Sequence, residues 1–278
     1  MSTVLTVNNL TVKVTEKKQM KTLVADMSFT VAAGQCLGIL GESGSGKSMT
    51  CKAITGLLDR SFHSDGEAIF SGSNLIGMEP NVLRKIRGKD ICMILQNPMT
   101  SFDPLCRIGA QMAEGMAAHT ELSKVSIKER CFSILDRMQI RNPEEVLLKY
   151  PHQLSGGMLQ RIMIGMALVM EPKLLIADEP TTALDSITQY SVVEEFKKIK
   201  ENNRVGMIFI SHDLGVLSQI ADDVIVMHNA KIMQRGKTKA VMTNPGDEYT
   251  KFLLAKKKAV MQKFYQVLNP GNEVSVCS

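Results

Sequence analysis

Residues 41–48 read GESGSGKS, and no other stretch limits the fold of this chain so tightly. Glycines at positions 41, 44 and 46 free the backbone to turn successive N–H groups inward, which makes a cradle for phosphate oxygens. In such a loop Gly41, Glu42, Ser43, Gly44, Ser45 and Gly46 form the cradle and Lys47 reaches the β and γ phosphates. Ser48 offers a hydroxyl to Mg²⁺, and Met49 continues into the helix behind it. The flanks agree with that reading. The apolar run CLGIL precedes the loop and the helix-compatible MTCKAITGLL follows it, giving the strand, loop and helix that a triphosphate site requires.

The rest of the chain extends this unit into an α/β fold. Residues 4–14, 22–31 and 67–71 alternate polar and apolar side chains, predicting a small antiparallel layer at the front. Cys36–Leu40, Leu174–Ala177 and Met207–Ile210 are instead short continuous apolar runs, the pattern of parallel strands covered on both faces. Polar residues follow each run, and ligands of open α/β sheets gather at such carboxyl ends. Ile127, Cys131, Ile134, Leu135 and Met138 share one helical face, as do Val192, Val193, Phe196 and Ile199. The stretch from about 98 to 160 carries no strand pattern and reads as an inserted helical lobe. The expected division is a nucleotide-binding domain over 1–243 and a C-terminal extension over 244–278, whose Lys256–Lys258 run reads as a solvated face. No internal repeat is visible.

Composition excludes little but settles some questions. Thirty-three basic and 28 acidic residues leave a net charge of +5, which permits an acidic partner or membrane surface without requiring one. Cys36, Cys51, Cys92, Cys106, Cys131 and Cys277 form no C-x-x-C pair and have no histidine at metal-finger spacing, so they read as small apolar residues of a reducing cytosol. His63, His119, His152 and His228 are scattered and carry no ligand pattern. No apolar run reaches the ~18–20 residues of a membrane span, and the N-terminal alternation is not that of a signal peptide. The chain is expected to be cytosolic and to reach a membrane only through partners.

Beyond the loop, LLIADEP at 174–180 is a buried strand ending in paired acids. Asp178 suits the Mg²⁺ shell, while Glu179 suits a water near the γ phosphate as base or polarising group. Gln96 ends the run ICMIL, where its amide could touch the metal or that water or serve structure alone. His212 follows the last of the parallel runs and is either an ordinary loop histidine or a hydrogen-bond donor to the γ phosphate. LSGGMLQR at 154–161 places two glycines ahead of a helix, a second anion-suited backbone more than a hundred residues from the first.

GESGSGKS, Gln96, LSGGM, LLIADEP, TALD at 182–185 and ISHD at 210–213 occur in the order and approximate spacing of ATP-binding-cassette ATPase subunits, and the chain resembles that family over about residues 4–255. The resemblance implies an α/β P-loop NTPase fold with a RecA-like core, an N-terminal antiparallel β layer and a helical lobe. It implies ATP and Mg²⁺ as ligands and head-to-tail pairing of two nucleotide domains. Ser155, Gly156 and Gly157 would then cap the γ phosphate held by the partner's loop, and Asp185 would communicate across the joint. Met158 replaces the family's usual glutamine, and Val14 occupies the position nearest to its adenine-stacking aromatic.

Within the family, QNPMTSFDPL, ADEPTTALD and the Pro245, Tyr249, Thr250, Leu253, Leu254 spacing are similar to the peptide/nickel importer subgroup, although Asp247 and Glu248 replace its usual His and Pro. That resemblance implies a peripheral protein on the cytoplasmic face of the membrane. Its expected partners are a second, related but non-identical ATPase, two permease subunits and, indirectly, an extracytoplasmic substrate-binding protein. Nickel is the expected cargo, with dipeptides or oligopeptides as the alternative. A cassette ATPase acting on nucleic acid or ribosomes is the remoter reading. It would call for a basic arm with interleaved aromatics, whereas this chain has no Trp, four Tyr and nine Phe.

Overall fold

The computed structural model describes residues 2–16, 19–201, 204–256 and 259; Cys277 and most of the C-terminal extension lie outside these. Two sheets organise the chain. The smaller is antiparallel, in the order β2 (Gln19–Ala32), β1 (Thr3–Glu16), β4 (Phe62–Phe70), β5 (Ser73–Asn74). The larger runs β10 (Lys231–Lys237), β9 (Asp223–His228), β3 (Cys36–Gly41), β8 (Gly206–Ile210), β7 (Leu174–Asp178), β6 (Ile91–Ile94). It is parallel except at the β9–β10 hairpin.

Side-chain alternation in the large sheet divides the core in two. Leu37, Ile39, Leu174, Ile176, Ile208 and Ile210 face the antiparallel layer and α1 (Lys47–Ile54), which contributes Cys51, Ala53 and Ile54. Cys36, Leu40, Leu175, Ala177, Met207 and Phe209 face the opposite helices. Strands covered on both faces need apolar residues at every position, which is why these segments read as runs rather than alternations. Burial of each such side chain contributes about 1.5–3 kcal/mol.

Between β6 and β7 the chain is helical: α2 (Pro80–Ile86) precedes β6, and then come α3 (Ile108–Ala117), α4 (Lys124–Arg137), α5 (Pro143–Leu148) and α6 (Gly156–Val169). The last of these continues well past residue 160. α7 (Ser186–Glu201) and α8 (Leu214–Ile220) return the chain to β8 and β9, and α9 (Thr238–Thr243) follows β10. The front layer is longer than the alternation implied, because β4 begins at Phe62 and carries the polar stretch His63–Glu67 through an antiparallel register with β1.

Cys36, Cys51, Cys92 and Cys131 are buried and free, whereas Cys106 is exposed. Burial pushes the Cys92 thiol up to about 12, so it remains protonated and behaves as a small apolar group. Among the described residues no helix is long and apolar enough to cross a membrane.

α4 and α6 meet at Gly165, where a Cβ would come within 2.5 Å of Ile134 Cγ2 and 2.9 Å of Met138 Cγ. Glycine is required there by close packing, against its poor helix propensity. Gly165→Val should overpack this contact, costing about 2 kcal/mol and lowering the melting temperature by roughly 5 °C. A calorimetric scan checks this; an unchanged midpoint would contradict the packing.

Candidate functional site

β3, β8 and β7 lie side by side, and their carboxyl ends meet. Cys36–Ile39 pair in parallel with Met207–Ile210, and Leu174–Asp178 pair with Gly206–Ile210. The Glu179 N–H donates to the Ile210 carbonyl at 3.0 Å, and the Ser211 N–H to the Ile39 carbonyl at 3.3 Å. These links carry the strand register into the loops, so residues 41–48, 178–179 and 211–213 share one end of the sheet.

Glycine is demanded at two points of the phosphate loop. Gly46, the N-cap of α1, has φ 104°, and a Cβ there would strike the Leu23 carbonyl of β2. A Cβ on Gly41 would strike the Met227 carbonyl of β9 and approach Ser45 Oγ. At Gly44, φ 78°, nothing lies within 4 Å of the corresponding position, so the cradle is closed on its protein side and open on the other. Ser45 Oγ is buried without a hydrogen-bond partner among the described residues. A buried orphan hydroxyl is costly, and an anion seated against the α1 N-terminus would fit this arrangement.

The Lys47 ammonium donates to the carbonyls of Gly41 at 3.0 Å and Glu42 at 2.8 Å, spanning the loop from end to start. Ser48 donates its hydroxyl to Asp178 Oδ1 at 2.9 Å, and Met49 packs against the apolar cluster beneath. Asp178 is only 2% exposed. Burial raises its pKa, opposed by the Ser48 hydrogen bond and the ammonium groups of Lys52 and Lys47, while the neighbouring Glu179 adds to the rise. A desolvated carboxylate beside a hydroxyl is a donor set suited to a hard divalent cation with phosphate and water oxygens in its remaining positions.

Glu179 adopts the left-handed region, φ 47°, which costs a non-glycine residue roughly 1–2 kcal/mol. Thr182 straps it there: its hydroxyl lies 3.1 Å from the Glu179 carbonyl and 3.2 Å from Oε2. The same Oε2 accepts from Gln96 Nε2 at 3.0 Å and lies 3.4 Å from His212 Nδ1. Gln96, Glu179 and His212, singled out separately in the sequence, therefore converge on one carboxylate oxygen. Sequence reasoning did not find Thr182 as its strap, although the residue lies within the quoted TALD run.

Ser155, Gly156 and Gly157 occupy a different place. Ser155 caps α6, its hydroxyl accepting from the Met158 N–H at 3.2 Å. A Cβ on Gly156 would meet nothing within 4 Å, whereas one on Gly157 would sit 3.4 Å from the Ala183 carbonyl. Met158 turns into the apolar cluster behind the helix. The turn thus leans on the loop containing Asp185, whose carboxylate accepts from the N–H groups of Ile187 and Thr188 at 3.1 Å and the Thr188 hydroxyl at 2.7 Å. These bonds from Thr188 hold Asp185 ionised below the usual carboxylate range. Val14 is buried in the front layer, opposite Lys21 on β2 and Phe62 on β4.

Comparison with known proteins matches residues 24–182 to the family described as ABC transporter. The chain is 46% identical over 266 residues to the metal-staphylopine import system ATP-binding protein CntD of Staphylococcus aureus, covering 96% of this chain and 97% of that one. It is 43% identical to the dipeptide transport ATP-binding protein DppD of Bacillus subtilis, covering 91% and 76% respectively. The fold superimposes with a TM-score of 0.76, at 23% identity, on the ATP-binding cassette MJ0796 bound to ADP and phosphate, covering 84% of this chain and 98% of that one. The phosphate loop, the paired acids at the end of β7 and these likenesses lead to one conclusion: the chain belongs to the ABC transporter family, as one of its ATP-binding ATPase subunits.

Proposed function

We propose that this chain hydrolyses ATP to drive a membrane importer whose cargo is a metal, nickel being the ion to test first. The observation that carries the hydrolytic part is the convergence of Gln96, His212 and Thr182 on Glu179 Oε2, beside the Ser48–Asp178 pair. Gly41–Met49 hold the triphosphate, with Lys47 on its β and γ groups. Ser48, Gln96 and Asp178 would hold Mg²⁺, which when bound neutralises developing phosphate charge.

Glu179 accepts a proton from water as the water oxygen bonds to the γ phosphorus and the bond to the bridging oxygen breaks. ADP and phosphate are the products. His212 donates to the γ phosphate, and Gln96 and Thr182 fix the carboxylate in its left-handed seat so that it need not reorganise during reaction.

The open face at Gly156 and the bond-rich loop at Asp185 support a cross-subunit role. Ser155, Gly156 and Gly157 would cap a γ phosphate held by a second ATPase subunit, a related but non-identical one, with Asp185 relaying across the joint. ATP then favours the closed pair by differential affinity, and loss of the γ phosphate reverses it. Residues 1–243 would form the nucleotide-binding domain, with about 98–160 as its helical lobe, and 244–278 an extension. The pair would sit on the cytoplasmic face of the membrane against two permeases, with an extracytoplasmic binding protein selecting cargo; nucleic acid is not a partner.

The extent of likeness to CntD favours metal cargo, and the likeness to DppD favours a dipeptide or oligopeptide as the second reading. In cells lacking this subunit, uptake of radioactive nickel should fall to background while dipeptide uptake is retained. The reverse pattern would establish the second reading.

For the site itself, Glu179→Gln should preserve ATP binding, lower turnover by about 10²–10⁴-fold and trap a closed pair on sizing columns. Wild-type turnover would remove Glu179 from the water-activating role. Ser155→Arg should abolish turnover at the site completed by the partner's loop and leave this chain's own nucleotide affinity unchanged in equilibrium titration. A matching loss of that affinity would contradict the cross-subunit assignment.

A further inference from the structure

Residues 248–256 form a helix whose inner face is anchored to the body of the chain. Asp247 starts it, accepting from the Thr250 N–H at 2.9 Å and the Thr250 hydroxyl at 3.2 Å, while its own N–H donates to Gln234 Oε1 at 3.2 Å. Leu253 and Leu254 are buried in the lobe-side apolar cluster. The Tyr249 ring stacks on His228, the last residue of β9, with centroids 3.9 Å apart. His228 directly follows Met227, whose carbonyl bounds Gly41. At the far end of the helix Lys256 Nζ lies 3.1 Å from Glu42 Oε1, inside the phosphate loop.

Two further details bear on this contact. The Tyr249 hydroxyl is buried without a hydrogen-bond partner of good geometry among the described residues. Burial, and secondly the Glu42 charge, raise its ionisation above that of an ordinary phenol. The Lys256 ammonium also lies 5.8 Å from the centre of the Phe252 ring. Lys256 is exposed, as a solvated lysine run implies, and is at the same time tied to the loop by this ion pair; Lys257 and Lys258 lie outside the described residues.

We propose that this helix positions the phosphate loop, with Lys256 acting as the positioning residue through Glu42. The inference rests on reading Gly41–Ser48 as the triphosphate site. Lys47 ties the carbonyls of Gly41 and Glu42 together. A lysine that turns toward a phosphate gives up those bonds, and the loop then needs another anchor at its first residues. The Glu42 side chain, held from outside by Lys256, supplies it. An ion pair this exposed is weak and screened by salt, so its signature is a modest, salt-dependent change in nucleotide affinity.

The experiment is equilibrium titration of the full chain with a fluorescent ribose-labelled ATP, at low and high salt. Wild type, Lys256→Gln, Glu42→Gln and the double variant are compared, with melting curves confirming that each is folded. Lys256→Gln should weaken binding about threefold at low salt and by a smaller factor at high salt, the size expected for losing an exposed ion pair. In the Glu42→Gln background the same change should have no further effect. An equal loss in both backgrounds, or no loss even for Lys256→Glu at low salt, overturns the positioning role. Failure of the wild-type chain to bind nucleotide is a separate result, overturning the assignment of the loop itself.

Discussion

Everything at this site depends on how closely bare backbone can approach bare backbone. Gly41 passes beneath the end of β9 and Gly46 beneath β2, each at a distance that leaves no room for a Cβ. The loop is thereby held between the carboxyl end of the large sheet and the antiparallel layer, and its inward N–H groups are fixed by the fold rather than by a ligand. Preorganisation of this kind has its cost met during folding, so it is not charged again at each binding event. The left-handed backbone at Gly44 and Gly46 belongs to the same economy, since no other residue type adopts it so readily.

The acids at the end of β7 show the complementary strategy. Asp178 is buried and bonded to the first turn of α1, so its position follows from core packing. Glu179, one residue later, has left the sheet and sits in a conformation that its own side chain disfavours. Backbone strain of this type persists only where neighbours over-determine it, and here Thr182, Gln96 and the Ile210 carbonyl do so. Two adjacent carboxylates thus receive different environments from a single step along the chain.

The phosphate loop, the strands behind it and the paired acids were legible because each is a local pattern: a glycine spacing, an apolar run, a polar residue at its end. Gln96 and His212 were legible as positions, but the oxygen on which they meet was not, because that meeting depends on the order β8, β7, β6 across the sheet. β9 was overlooked although Val224–Met227 is an apolar run like the others. It has no functional residue at its end to draw notice, yet it supplies the carbonyl that bounds Gly41. The tie between Lys256 and Glu42 spans 214 positions, and no periodicity encodes a contact of that kind. A lysine cluster ordinarily lies in solvent, and only tertiary docking through Leu253 and Leu254 brings one of its members back to the loop.

The turn at Gly156–Gly157 rests against the Ala183 carbonyl, and Asp185 stands two residues farther along, fastened to the start of α7. Two surfaces that arise on separate helices are in this way neighbours. The buried face of that helix, Val192, Val193 and Phe196, packs in the same apolar cluster as Ala177 and Phe209 of the strands whose ends carry the acids. Whatever docks at that turn therefore meets a loop only four residues beyond Glu179.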